Sequence, residues 1–261
     1  MIQYMRRIEV GLPPAICMTI GQTPLRILLG SGGIATEDRR DLYQELVSEH
    51  FSGCSEVLFV PFASHDYSGY TSRMQGFLGA IGPTLVGLHE SSDPIEAISQ
   101  ADAIYVGGGN SFLLAKELHE RSLIPPIRDR VLSGAPYLGV SAGANVACPT
   151  MMTTNDMPVV HPPSLDSLGI VPFQINPHYH PGKIRFMDDG EMVEHYGESR
   201  AKRISEFHRV HDTPVLGMWE GSFVSWDGLS GTLSGRSTVF CKGEEPVELT
   251  DGAKFDESLQ T

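Results

Sequence analysis

The sequence predicts an α/β fold, a three-layer α/β/α sandwich in which helices cover both faces of a mostly parallel sheet. Three observations predict it. Short β-rich runs alternate with amphipathic stretches from Leu25 onward. Glycine clusters follow two of the strands, Gly30-Ser31-Gly32-Gly33 and Gly107-Gly108-Gly109-Asn110. A third strand runs straight into Gly139-Val140-Ser141-Ala142-Gly143 before a helix. With 261 residues, 41% hydrophobic and 20% charged, the chain has the composition and length of one large domain with a buried core.

The elements follow in order. Arg26-Ile27-Leu28-Leu29 is the first strand, and Leu42, Tyr43, Leu46 and Val47 recur at helical spacing after it. Glu56 to Pro61 is the second strand, followed by a helix from Tyr70 to Leu78. Thr84 to Leu88 is third, with a short helix from Pro94 to Ser99, and Ala103 to Val106 is fourth. The longest helix is expected next, with Phe112, Leu113, Leu114 and Leu118 as its apolar stripe, until Pro125-Pro126 breaks it and a second helix leads to Gly134. Pro136 to Val140 is the fifth strand. Past a Pro-rich loop come Phe173 to Asn176, a helix from Arg200 to His208, and closing strands at Val215 to Trp219, Thr238 to Phe240 and Val247.

Charge narrows the function. Nineteen Lys and Arg against 32 Asp and Glu leave a formal net charge of −13, and no basic run is present to neutralise a row of phosphates. Nucleic acid is therefore not an expected partner. An acidic substrate would be repelled by the mean field and would need locally placed arginines. Cys17, Cys54, Cys148 and Cys241 are scattered without CxxC pairing and read as buried free thiols, so neither disulfides nor a metal is expected. Glu9, Gly11, Pro13 and Pro14 interrupt the N-terminal stretch, which excludes a signal peptide or membrane span and points to the cytoplasm. Residues 1–17 are expected to be a mobile tail or an over-extended start, and residues 18–261 a single catalytic domain.

A strand leading into Gly-x-Ser-x-Gly and a helix is the geometry that exposes a serine oxygen on a sharp turn. Ser141 is the candidate nucleophile, and the Ala142 N–H at the helix start the first oxyanion donor. Gly107-Gly108-Gly109-Asn110 ends the neighbouring strand, at the edge where α/β sheets bind ligands, and offers the Gly109 N–H as second donor. A phosphate-binding loop is disfavoured there, because the Gly-x-Gly-x-x-Gly spacing is missing. A serine needs a base, and ten histidines compete. His178 follows the Phe173-to-Pro177 strand and should stand at the carboxyl edge of the sheet, with His180 its nearest rival. Glu220, after another apolar strand, is placed to orient the imidazole. The chain order serine, histidine, acid differs from that of α/β-hydrolases.

The segments VGGGNSF (106–112), GVSAGANVACPT (139–150), TTNDMPV (153–159) and FQINPHY (173–179), with GMWEG (217–221), closely resemble the peptidase E (α-aspartyl dipeptidase) family across roughly Leu25 to Glu248. The resemblance implies a class I glutamine amidotransferase-like (flavodoxin-like) fold, with serine replacing the cysteine of those enzymes. It also implies hydrolysis of dipeptides with N-terminal aspartate without a cofactor. Carried over motif by motif, it implies Ser141 as nucleophile, His178 as base, Glu220 as orienting acid, and Gly109 with Ala142 as the oxyanion hole. Arg200, in a segment similar to the family's Gly-Glu-Thr-Arg motif, is the first choice to clamp the aspartyl carboxylate, with Arg203 as the alternative. Asp156 is assigned to the free α-amino group, its alternative being an Asx-turn before proline, and Asn110 is a neutral donor.

Two features depart from the familiar bacterial members. The segment 180–196 looks several residues longer and reads as an acidic loop carrying Asp188, Asp189, Glu191 and Glu194, and the N-terminal tail is added. The expected activity is a serine exopeptidase acting on small acidic dipeptides, as a monomer or homodimer. The alternatives are a cyanophycinase-like or isoaspartyl peptidase and a catalytically silent binding module. A glutamine amidotransferase is disfavoured by the serine.

Overall fold

A computed structural model describes residues 24–79 and 82–259. Five strands lie parallel in the order β1 (Ile27–Gly30), β5 (Tyr137–Val140), β4 (Ile104–Val106), β2 (Glu56–Val60) and β3 (Thr84–Gly87). Beyond β1 the same sheet continues antiparallel through β10 (Phe223–Trp226), β11 (Gly231–Ser234) and β14 (Lys254–Phe255).

Residue alternation along these strands divides the core in two. Leu28, Val57, Phe59, Leu138 and Val140 face α1 (Glu37–His50) and α2 (Tyr67–Leu78), where Tyr43, Val47 and Leu78 are buried. Ile27, Leu29, Leu58, Val60 and Val106 face the other layer, which holds α3 (Pro94–Gln100), α4 (Ser111–Glu120), α5 (Ile124–Leu132) and α6 (Ala142–Ala147). The expected three layers are present.

The strands expected at Phe173, Val215 and Thr238 do not join this sheet. A second sheet takes them in the order β13 (Val247–Leu249), β12 (Ser237–Phe240), β9 (Val215–Trp219) and β6 (Gln174–Tyr179). It is docked on the second face, since Phe173, Ile175, Leu216 and Met218 share one core with Ile27, Leu29 and Val106. Buried Phe173 meets Trp226 edge to face at 5.3 Å, clamping the start of β6 to the main sheet.

Three further expectations change in detail. Among the described residues the longest helix is α1, with 14 residues, and α4 ends at Glu120 ahead of Ser122, whose φ is 57°. Pro125 and Pro126 begin α5 rather than breaking α4, because a proline in a first helical turn gives up an N–H with no partner there. The acidic segment forms a hairpin, β7 (Arg185–Asp188) and β8 (Glu191–Glu194), exposed along nearly its whole length; α7 (Arg200–Phe207) follows as expected. Its Asp189-Gly190 turn has positive φ at both residues, 45° and 88°, matching the twist of paired strands.

Cys54, Cys148 and Cys241 are free thiols, Cys148 buried and the other two half-buried; Cys17 and the tail expected over residues 1–17 lie outside the described residues. Among the described residues no helix is long and apolar enough to cross a membrane.

His50, at the end of α1, donates from Nε2 to the Tyr137 carbonyl at 3.0 Å. Burial, with the Arg26 guanidinium beside it, pulls this imidazole from 6.5 down to about 4. The unfolded chain then takes up the proton first, so stability held above pH 6.5 is lost as pH falls from 6.5 towards 4. Urea unfolding at pH 7 and pH 4.5 should show a smaller acid loss for His50→Gln than for the parent, by on the order of 2 kcal/mol.

Candidate active site

Strand β5 ends in a glycine and a valine, and α6 begins with Ala-Gly-Ala, so nothing bulky opposes a tight turn between them. Ser141 sits in that turn at φ 53° and ψ −109°, a region that costs a non-glycine residue about 1–3 kcal/mol. Its N–H donates to Gly30 O at 2.8 Å, and its carbonyl accepts from Asn145 N at 2.9 Å. Below the turn, Tyr137 Oη donates to Gly143 O at 2.8 Å. The expected exposed serine is thus held in place from both sides.

His178 lies within β6, not after it as expected. The register of β6 against β9 shifts between Asn176 and Tyr179, and His178 takes φ 54° inside that bulge. A bulge re-aims a side chain. Here the imidazole Nε2 comes within 2.8 Å of Ser141 Oγ, a contact that His180 does not make. Glu220, directly after β9, accepts a hydrogen bond at Oε1 from His178 Nδ1 at 2.8 Å. A carboxylate can only accept, so Nδ1 carries the proton and Nε2 keeps its lone pair facing the serine. Histidine and glutamate are both partly exposed, which leaves the group open to a substrate.

The glycine loop stands beside them, so close that a Cβ on Gly108 would lie 3.2 Å from Ser141 Cβ. The flanking amides are occupied, Gly107 N–H by Val60 O and Asn110 N–H by Ala63 O. No hydrogen bond among the described residues takes up the N–H of Gly109 or of Ala142. Gly109 has φ 136°, and a Cβ there would stand 2.3 Å from Ala63 O, so only glycine fits. Tyr70 supports this loop from α2. Its hydroxyl receives the Gly108 N–H, and burial pushes its pKa up to about 12.

Two of the expected substrate residues, Asn110 and Asp156, meet at the start of α4. Asn110 caps this helix, its Oδ1 accepting from Phe112 N at 3.0 Å and Leu113 N at 3.1 Å, while Nδ2 donates to Met157 O at 3.0 Å. Its side chain is thus engaged within the protein. Asp156 Oδ2 accepts from both the N–H and the hydroxyl of Ser111, each at 2.7 Å. Arg200, at the start of α7, is half-buried and close enough to Asp156 to feel its charge. Burial and then the Arg203 charge lower the Arg200 pKa, and Asp156 opposes them. Arg203 itself is exposed, with Nε 4.0 Å from Glu198 Oε2.

Two parts of this arrangement escaped the sequence. The Thr153-Thr154-Asn155 motif holds β6, with Asn155 donating to Pro177 O at 2.8 Å and Asn176 donating to Thr153 O at 2.8 Å. Ser31, in the first glycine cluster, accepts at Oγ from His178 N at 2.8 Å and donates to Met218 O at 3.0 Å. The available signal for Ser31 was a glycine-rich turn at the carboxyl end of the first strand.

Comparison with known proteins supplies the family. The model of Peptidase family S51 matches residues 26–233, which span β1 to β11 and every site residue above. The chain belongs to Peptidase family S51. Within the curated relatives, Peptidase E of Streptomyces coelicolor is 42% identical over 207 residues, covering 78% of this chain and 82% of that one. Peptidase E of Citrobacter koseri is 42% identical over 215 residues, covering 80% and 90%. Two solved structures share the fold: a peptidase from an acI-B1 Actinobacterium (TM-score 0.63, 17% identity, covering 90% of this chain and 98% of that chain) and a putative peptidase E from Listeria monocytogenes EGD-e (0.56, 21%, 87% and 98%). The S51 match and the expected peptidase E resemblance thus agree.

Removing the α4 cap should be measurable by itself. Asn110→Ala is expected to cost about 1 kcal/mol, read as a lower urea midpoint; an unchanged midpoint would contradict the capping role.

Proposed function

We propose that this chain is a serine dipeptidase that releases N-terminal aspartate from dipeptides through an acyl-enzyme. The observation that carries the reading is the unbroken line from Ser141 Oγ through His178 to Glu220, with 2.8 Å at both contacts. Family membership and the curated Peptidase E relatives support it. An assembled nucleophile, base and orienting acid argue against a silent binding module.

In this reading Ser141 Oγ attacks the scissile carbonyl carbon while its proton passes to His178 Nε2. The resulting oxyanion is stabilised by the Gly109 and Ala142 N–H groups, which have no competing partner among the described residues. Glu220 stabilises the imidazolium. Collapse breaks the C–N bond, and the departing amine takes the proton from Nε2. Water, deprotonated at the same nitrogen, then attacks the ester to release aspartate and restore the serine.

Arg200 receives the aspartyl side-chain carboxylate, supplying the local positive charge that a protein of net charge −13 requires. Burial strengthens that attraction, which favours Arg200 over exposed Arg203. Asp156 holds the free α-amino group and so restricts cleavage to the first peptide bond. Residues 18–261 act as one catalytic domain, and the enzyme works in the cytoplasm as a monomer or homodimer.

The purified protein should hydrolyse Asp-Leu and leave Ala-Leu nearly untouched. Equal or absent cleavage of both would overturn the aspartyl reading. Ser141→Ala should be folded and inactive. Arg200→Ala should lower kcat/KM for Asp-Leu about 30-fold, corresponding to a lost charged hydrogen bond of roughly 2 kcal/mol; no change would transfer the role to Arg203.

A further inference from the structure

Nucleophile, base and acid come from three different places: the β5–α6 turn, the β6 bulge, and the link between β9 and β10. One short loop touches all three. Gly30 O accepts from Ser141 N at 2.8 Å, and Gly32 O accepts from Gly221 N, next to Glu220, at 2.7 Å. Between them Ser31 Oγ accepts from His178 N at 2.8 Å. Three consecutive residues therefore each hold one member of the triad or its immediate neighbour.

Ser31 has the most specific part. On either side of the bulge Asn176 pairs with Gly217 and Tyr179 with Trp219, so Pro177 and His178 together face Met218. The bulge breaks the ladder at that point. Ser31 Oγ stands in the break, receiving the His178 N–H and donating its own proton to Met218 O at 3.0 Å. A hydroxyl can do both at once because it has one donor and two lone pairs. The side chain is completely buried, and its backbone N–H is tied to Ser222 O at 2.9 Å.

We infer that Ser31 is a positioning residue for the hydrolysis, acting through the main chain of His178 to keep Nε2 in reach of Ser141 Oγ. It does not touch the reacting atoms. By filling the bulge it holds the imidazole-bearing residue at φ 54°, a region that is strained for a residue other than glycine. Alanine at this position leaves a buried N–H and a buried C=O unpaired, and the bulge relaxes. The imidazole then drifts, and displacement on the order of 1 Å at a reacting group can cost on the order of a hundredfold in rate.

This inference rests on the Ser141–His178–Glu220 reading, and the test separates the two. Ser31→Ala should lower kcat for Asp-Leu about 10- to 100-fold with KM within about twofold, because the arginine side of the site is untouched. Ser31→Thr, which keeps the hydroxyl, should recover most of kcat. If Ser31→Ala does not fold, Gly32→Ala tests the same loop, since its Cβ would stand 3.0 Å from His178 Cε1 and should lower kcat in the same way. Wild-type kcat in whichever of the two alanine variants is folded overturns the positioning role, even if its melting temperature falls. An active Ser141→Ala enzyme would instead overturn the underlying triad.

Discussion

A hydroxyl and an imidazole carried by two separate sheets have to meet within hydrogen-bond distance, and much of the molecule serves that requirement. Ser141 follows β5 of the eight-stranded sheet, while His178 belongs to β6 of the four-stranded one. A shared core that includes Phe173, Ile175, Leu216 and Met218 sets the distance between the sheets. Close packing makes that spacing stiff. Hydrogen bonds to Gly30, Ser31 and Gly32 supply the finer adjustment. Both reacting residues sit at positive φ, so local strain is held by tertiary structure at the point where chemistry is expected.

Electrostatics impose a second constraint. The chain carries −13 overall, and the β7–β8 hairpin adds exposed Asp188, Asp189, Glu191 and Glu194 between His178 and Arg200. That net charge opposes the approach of an anion from a distance. Half-buried Arg200 is screened less than an exposed cation, so its attraction is stronger at short range.

Much of the site was legible because its chemistry is written locally. The small residues around Ser141 announce a sharp turn, and Glu220 follows a strand as read. His178 was found with an inexact placement, since a bulge inside a strand leaves no mark in the hydrophobic pattern. The second sheet was invisible for a related reason: an apolar run shows that Val215 to Trp219 is a strand but not which strand it pairs with. Ser31 was illegible because its partners lie 147 and 187 residues away. The hairpin was readable in principle from Asp189-Gly190 between two short apolar pairs, Phe186-Met187 and Met192-Val193, but its charges made it look like a loop.

The central claim is that Ser141 is a nucleophile activated by His178. Labelling with a fluorophosphonate, followed by mass mapping of the peptides, tests it without assuming a substrate. Ser141 Oγ should displace fluoride from phosphorus, leaving one adduct on the peptide that contains Gly139 to Gly143, and folded His178→Gln should label far more slowly. An adduct on another serine, or equal labelling of the His178→Gln variant, would contradict the account.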